Sequence, residues 1–361
     1  MASSSYSTTL DMIRTEIPSL FHCVANASSS LSFCLSSHSP LVINLYLCFA
    51  FSIYSFLWSI VGQNCSKVDQ LWSLTPAIYS WVFLLHSYLS YPSSSSSSPP
   101  PPLRLLLVCI LISLWSIRLT YNFYRRGGYG NLITHEEDHR WPVLRRLINS
   151  PLLFLLFNLT FISFYQNLLL LLITLPLHGI YTSYSYLSYR DLLLTLFFLF
   201  FLLIETVADE QHFAFHRLKA SFKDTAARKQ SSNSDIRDGF LQSGLFSLCR
   251  HPNYFAEQCM WIVVFLFSLL PNNGESYQEV IARNGWLGSG ALQLVLLFQG
   301  SMAFGESITA SKYPRYAHYQ ATTSQCIPSF ASFFRGSSEK GPSARDGGSK
   351  RKENTARKKA T

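Results

Sequence analysis

Charge is what this chain has least of. Only 14% of its 361 residues are Asp, Glu, Lys or Arg, where a soluble chain carries about a quarter. Acidic residues are the scarcer kind, 20 against 29 basic ones, for a net charge of +9. Two other patterns are missing. No His-His pair occurs, which excludes the histidine layout of membrane di-iron hydroxylases and desaturases, although HEEDH (135–139) and HFAFH (212–216) both have HxxxH spacing. No CxxC pair occurs either, which argues against a zinc site or a disulfide framework. Most of the eight scattered cysteines are therefore expected to be small apolar fillers inside helices. The Ser-rich segment 1–40 lacks a basic-then-apolar signal layout, so an uncleaved first span is expected.

What the chain has is apolar length. It is 48% hydrophobic, with 28 Phe and 19 Tyr. The apolar residues come in blocks near 41–61, 71–91, 103–121, 151–176, 190–208, 254–271 and 286–304. Blocks of ~20 residues read as membrane spans. Backbone groups in lipid must pair within their own segment, so the fold expected is all-α and polytopic, with about six to eight transmembrane helices. The fourth block is long enough to tilt or break.

Three stretches carry most of the basic charge: residues 118–146, residues 216–240 and the tail from Arg335 onward. Positive loops mark the cytosolic side. The net charge is thus a topology signal and not a sign of nucleic-acid binding. The chain divides into the N-terminal segment 1–40, a multi-span domain 41–330 and a basic, disordered cytosolic tail 331–361. The stretch PSSSSSSPPPP (92–102) forms neither helix nor core and reads as a spacer loop. The last four residues, KKAT, fit the dilysine pattern of endoplasmic reticulum membrane proteins with a cytosolic C-terminus.

Two constellations carry chemistry. In LIETVADEQHFAFHRLK (203–219), Glu205, Asp209, His212 and His216 fall on one helical face. The two carboxylates lie at the inner end of an apolar span, where ionisable groups are costly and face a cavity or a partner. In GLFSLCRHPNYFAEQCMW (244–261), Pro252 suits the first turn of a helix. That helix presents Asn253, Glu257 and Trp261 along one face, with Tyr254 beside them and Arg250 and His251 at its mouth. Free N–H groups, the positive helix end and an arginine together suit a phosphate. Glu257, one turn deeper, suits a sugar hydroxyl or an amide. A third stretch, YPRYAHYQATTSQCIPSF (313–330), is aromatic and basic and is placed to close over the site. Asn26-Ala-Ser and Asn64-Cys-Ser fit the N-glycosylation rule, and Asn158-Leu-Thr lies inside a span.

These residues resemble a known family. The RHPNY segment with its Gly-Leu-aromatic lead, VADEQHFAF, EEDHRW, VDQLWSLTP and the closing Tyr/Pro stretch are similar, in this order, to segments of the steroid 5α-reductase-like membrane proteins of the DUF1295 type. The likeness covers roughly residues 65–330. It implies a helical membrane reductase that takes NADPH from the cytosol, with the cofactor region at about 200–320 and a lipid as substrate. By this resemblance Asn253 and Glu257 contact the cofactor, Glu205 and Asp209 line the same pocket, His216 and Arg217 face the phosphates, and Glu306 faces the cofactor from the last helix. Asp69, Gln70 and Tyr121 are the candidates for the catalytic pair. The chain departs from the pattern at Ala256 (Gly in the relatives), Cys249 (Ser) and Glu205 (an amide). Isoprenylcysteine and phospholipid methyltransferases share an RHPxYxG segment but bind S-adenosylmethionine, and their last helix ends in paired Glu; here Ser307 follows Glu306. A non-catalytic membrane relative is the third alternative.

Overall fold

The computed structural model describes residues 2–26, 30–90, 102–129, 137–183, 186–222, 224–272 and 274–329, and for residues 2–7, 31 and 32 it describes the backbone alone. The spacer 92–101, the first histidine of HEEDH, the tail and its KKAT end lie outside the described residues. All regular structure described is helical. In chain order, α1 (Ala2–Ala25) and α2 (Leu31–Ser37) precede the first long helix, α3 (Pro40–Val61). Next come α4 (Lys67–Trp72), α5 (Thr75–Leu89), α6 (Leu103–Arg125) and α7 (Arg140–Ile148). The expected break in the fourth span is present. It runs as α8 (Pro151–Phe157), a π-helical stretch (Asn158–Tyr165), α9 (Gln166–Ile173) and α10 (Pro176–Thr182). Then follow α11 (Tyr189–Ser221), α12 (Thr225–Lys229), α13 (Ser234–Asp238), α14 (Pro252–Ser268), α15 (Tyr277–Asn284), α16 (Ser289–Lys312) and α17 (Tyr316–Thr322).

Five helical segments are long and apolar enough to cross a membrane: 40–61, 103–125, 151–182, 189–221 and 277–312. The shorter apolar helices α5 and α14 pack among them, and the whole is a polytopic integral membrane protein. Hydrogen bonds identify which ends lie together. At one end His86 Nε2 contacts the His38 carbonyl (2.8 Å) and Tyr181 Oη contacts His86 Nδ1 (2.8 Å), joining the start of α3 to the ends of α5 and α10. At the same end Arg104 Nε pairs with the buried Asp191 (2.6 Å), and Asn284 donates to the Ser268 carbonyl (2.7 Å). The other end gathers α4, α7, α17, the C-terminal turns of α6, α11 and α16, and the N-terminus of α14.

The helices start where local chemistry supplies caps. Ser39 accepts from the Leu41 N–H before Pro40, and Ser188 and Asp191 close a capping box on α11. Inside, Trp115, Tyr79, Phe83, Phe267 and Leu294 belong to one continuous apolar core. A polar seam crosses it. Asn158 and Asn167 donate to Ser59 (2.6 Å) and Ser55 (3.2 Å), which lets α3 lie close against the broken span.

One expectation fails. Cys23 and Cys34 are joined in a disulfide. They are 11 residues apart, one on α1 and the other on α2, and it is the docking of these helices, not a local cysteine motif, that brings them together. The cysteines at 48, 65, 109, 249, 259 and 326 are free, and the first four of these are buried.

The crossing of α16 over α9 depends on one glycine. A Cβ on Gly290 would stand 2.1 Å from the Leu172 carbonyl oxygen, so the backbones touch directly. We predict that Gly290→Val lowers the thermal unfolding temperature in detergent, at about 1–3 kcal/mol for such overpacking. Gly300→Ala, on the same helix with nothing within 4 Å of the added Cβ, is the control. It leaves the temperature unchanged or raises it, because Gly costs a helix roughly 0.5–1 kcal/mol relative to Ala.

Candidate functional site

A buried charged cluster lies where α6, α11 and α14 meet. As the helical spacing predicts, α11 carries Glu205 and Asp209 on one face, and both are buried. Arg118 of α6 sits between them. Its Nη2 lies 2.6 Å from Glu205 Oε1 and its Nη1 lies 2.6 Å from Asp209 Oδ2. Asn122 donates to Asp209 Oδ2 (2.7 Å), Arg126 Nη2 stands 3.6 Å from Asp209 Oδ1, and Asn253 lies against the same carboxylate. Glu257 of α14, also buried, completes a set of three carboxylates around Arg118. Arg118 and Asn122, one helical turn apart, are members of the site that sequence reading missed. The signal was present: a basic residue inside the third apolar block and an amide just past its C-terminal end.

The cluster leaves polar atoms unused. Glu205 Oε2, Glu257 Oε1 and the indole Nε1 atoms of Trp115 and Trp261 are all buried without a hydrogen-bond partner within the protein. Trp261 stands beside Glu257, but its N–H is not aligned to close a bond. The two indoles meet edge to face, with ring centroids 4.9 Å apart. An unsatisfied buried polar atom costs ~1–3 kcal/mol. These four, with Arg118 Nε, which also lacks a hydrogen-bond partner, make this junction the candidate site.

Tyr254, one turn before Glu257 on α14, joins this cluster to the end of the bundle where α7 and α17 lie. Arg126 and Arg140 both lie within electrostatic reach of its hydroxyl. Its ring stacks on His251 (5.5 Å) and packs on Phe298 (4.7 Å). Arg140 holds Asp138 (2.8 and 3.1 Å) and Ser301 (2.7 Å). Asp138 in turn lies near Asp69 of α4, whose Oδ2 is shut off from solvent without a partner. Burial first, and the Asp138 carboxylate second, push the Asp69 carboxyl up to about 6.

The remaining expected residues divide. His212 and His216 face each other at 3.3 Å (Nε2 to Nε2) on the last turns of α11, and Arg217 is exposed beside them over the Phe213 ring. Arg250, expected on a phosphate, is used internally. It grips Glu306 through Nε (2.7 Å) and Nη2 (3.0 Å), and Nη1 donates to the carbonyls of Gln320 (2.9 Å) and Thr323. His251 Nε2 also binds Glu306 (2.9 Å), and Gln320 adds a bond at 2.9 Å. Arg250 and Glu306 thus latch α14 to α16 and α17. Ala256 is fully buried in the packing of α14. Gln70 accepts from Lys67 (2.8 Å) and donates to the Gly128 carbonyl (2.8 Å), a structural role. Tyr121 points outward, 59% exposed, with Arg125 over its ring. Of the three catalytic candidates, only Asp69 belongs to the connected set. No cluster of His, Cys, Asp and Glu able to hold a metal ion occurs among the described residues.

The Gly-Leu-aromatic lead has a backbone reason. Gly244 has φ +62°, and a Cβ there would meet the Gln211 side chain at 2.6 Å, while Gln211 Oε1 accepts the Leu245 N–H (2.9 Å).

Two predictions follow from the charges. Arg118→Met strands three buried carboxylates and costs about 3–5 kcal/mol of stability, seen as a large fall in melting temperature, whereas Arg118→Lys loses less. Asp69 gives a pH signature. Its folded value lies above the ordinary 3.8, so the folded chain binds more protons than the unfolded one between about 4 and 6. Its contribution to stability is therefore lost as pH rises through that window. Melting curves at pH 4, 5, 6 and 7 should show Asp69→Asn gaining on the wild type with each step up to about 6, and level above.

The family model described as DUF1295, a protein of unknown function, matches residues 55–323. That span takes in Asp69, the α6–α11–α14 cluster and the Arg250–Glu306 latch. An uncharacterized protein of the fission yeast Schizosaccharomyces pombe is 31% identical over 297 residues, covering 80% of this chain and 80% of the relative. No solved structure matches the chain. By the extent of both matches, the chain belongs to the DUF1295 family.

Proposed function

We propose that this protein is an NADPH-dependent membrane reductase that saturates a polarised C=C bond of a lipid. The observation that carries the reading is the set of unused polar atoms at the α6–α11–α14 junction. A carboxamide has two N–H donors and one carbonyl acceptor. Glu205 Oε2 and Glu257 Oε1 supply acceptors for the donors, and the indole N–H groups of Trp115 and Trp261 supply donors for the carbonyl. A nicotinamide carboxamide fits this set. On the way out to the cytosolic end lie Arg126, which is 39% exposed, then His212, His216 and Arg217. The guanidinium groups of Arg126 and Arg217 are suited to the phosphates, and the two imidazoles can add neutral hydrogen bonds.

NADPH, when bound, supplies the hydride. The residues of this chain do the rest. Arg118 holds Glu205 and Asp209 in place, so the acceptors are already oriented before a ligand arrives. The apolar walls around Trp115, Trp261 and Met260 exclude water. Asp69, whose carboxyl is pushed up to about 6, retains a proton on a fraction of molecules near neutral pH and can deliver it at Oδ2. Burial of the helices in the membrane gives an apolar substrate access from the side.

A second reading, methyl transfer from S-adenosylmethionine, is favoured by one feature: three carboxylates outnumber the single buried Arg118, and a sulfonium or ammonium would also satisfy them. The unused indole N–H donors favour the carboxamide. Thermal stabilisation of the purified protein in detergent separates the two. NADPH at 100 times its Kd should add about 2.7 kcal/mol, and NADH less. Glu257→Gln exchanges an acceptor for a donor and should shrink the NADPH effect while leaving the ligand-free melt near the wild-type one. Stabilisation by S-adenosylmethionine alone would overturn the reductase reading. Stabilisation by neither ligand would favour a non-catalytic relative.

A further inference from the structure

The sequence holds three Asn-x-Ser/Thr triplets, at Asn26, Asn64 and Asn158. Their positions separate them. Asn158 is 4% exposed inside the fourth crossing and donates to Ser59. Asn64 is 7% exposed at the basic end of the bundle, with its Oδ1 accepting the Ser66 N–H at 2.9 Å. Asn26 is exposed, directly after α1 and three residues beyond Cys23.

Two independent features orient the bundle. The Arg/Lys-rich segments around Arg118–Arg146 and His216–Phe240 gather at one end, which the charge rule places in the cytosol. The Cys23–Cys34 disulfide lies at the other end, and disulfides persist in oxidising compartments and are rare in the cytosol. The helices α1 and α2 are anchored on that outer end. Tyr46 Oη donates to the Ile17 carbonyl (2.6 Å), the Ser39 N–H donates to Glu16 Oε2 (2.6 Å), and His38 Nε2 contacts Ser19 Oγ (3.1 Å).

We infer that α1 and α2 form a disulfide-closed cap on the non-cytosolic face and that Asn26 on this cap is the N-glycan acceptor of the chain. In the transfer, the Asn26 amide nitrogen bonds to the anomeric carbon of an oligosaccharide carried on a polyprenyl diphosphate. The sugar–phosphate bond breaks, the polyprenyl diphosphate leaves and the amide gives up one proton. The disulfide forms by exchange: two thiols of the chain are oxidised as the disulfide of a lumenal oxidoreductase is reduced to two thiols.

The test uses the full chain with a C-terminal tag, made in eukaryotic cells and recovered in sealed microsomes. The wild type should lose the mass of one glycan on endoglycosidase treatment. Asn26→Gln and Ser28→Ala should each abolish that change, and Asn64→Gln should keep it. Protease added outside should remove the tag and spare the glycan, and Cys23 and Cys34 should take up a polyethylene-glycol maleimide only after reduction. Absence of a glycan from the wild type, its survival in Asn26→Gln, its loss in Asn64→Gln, or a protected tag would each overturn the assignment. Melting temperatures near the wild-type value would show that the variants fold.

Discussion

The guanidinium of Arg118 sits between Glu205 and Asp209 inside an apolar helix bundle, and the placing of α6, α11 and α14 depends on it. Taking carboxylates out of water is unfavourable by several kcal/mol each, and only a well-placed opposite charge offsets that. An apolar trio of similar size would hold the same three helices together at lower cost. The trio is charged, and its geometry leaves acceptors and donors open instead of closing every bond. A purely structural ion pair would bury matched partners, as Arg104 and Asp191 do at the opposite end, where Nε and Nη2 each take one carboxylate oxygen. The contrast within one molecule sets the site apart from the scaffold.

The RHPN segment shows a related division of labour. Arg250 looks from sequence like the phosphate ligand, since it stands at a helix mouth. It is used instead to fasten the mouth, through Glu306 and the carbonyls of α17. His251 shares that carboxylate, which leaves Tyr254, Asn253 and Glu257 as the face that α14 presents inward. The two latch residues hold the N-terminus of α14 against α16 and α17.

The sequence made the helical class, the spans and the shared face of Glu205 and Asp209 legible, because apolar block length and 3.6-residue spacing are local properties. The break in the fourth span was visible as excess length, though its π-helical form was not. What stayed hidden depends on contacts between distant segments. Arg118 meets Glu205 across 87 positions, and the grip of Arg250 on residues 320–323 spans about 70. Cys23 and Cys34 are close in sequence, but their pairing rests on how α1 and α2 dock. Tyr121 was misplaced for a simpler reason: one helical turn separates it from Arg125, whose side chain covers its outward ring.

The latch at α14 also sets an order of assembly. Arg250 and His251 bond through their backbone N–H groups to Ser324 and Gln325, and the Arg250 side chain closes on the Gln320 and Thr323 carbonyls. Those partners are translated some 70 residues after the RHPN segment. During synthesis α11 and α14 therefore enter the membrane with their mouth unfastened, and the site can be completed only when the last described helix has left the ribosome. A chain that stops before α17 would hold every crossing and still lack a finished opening.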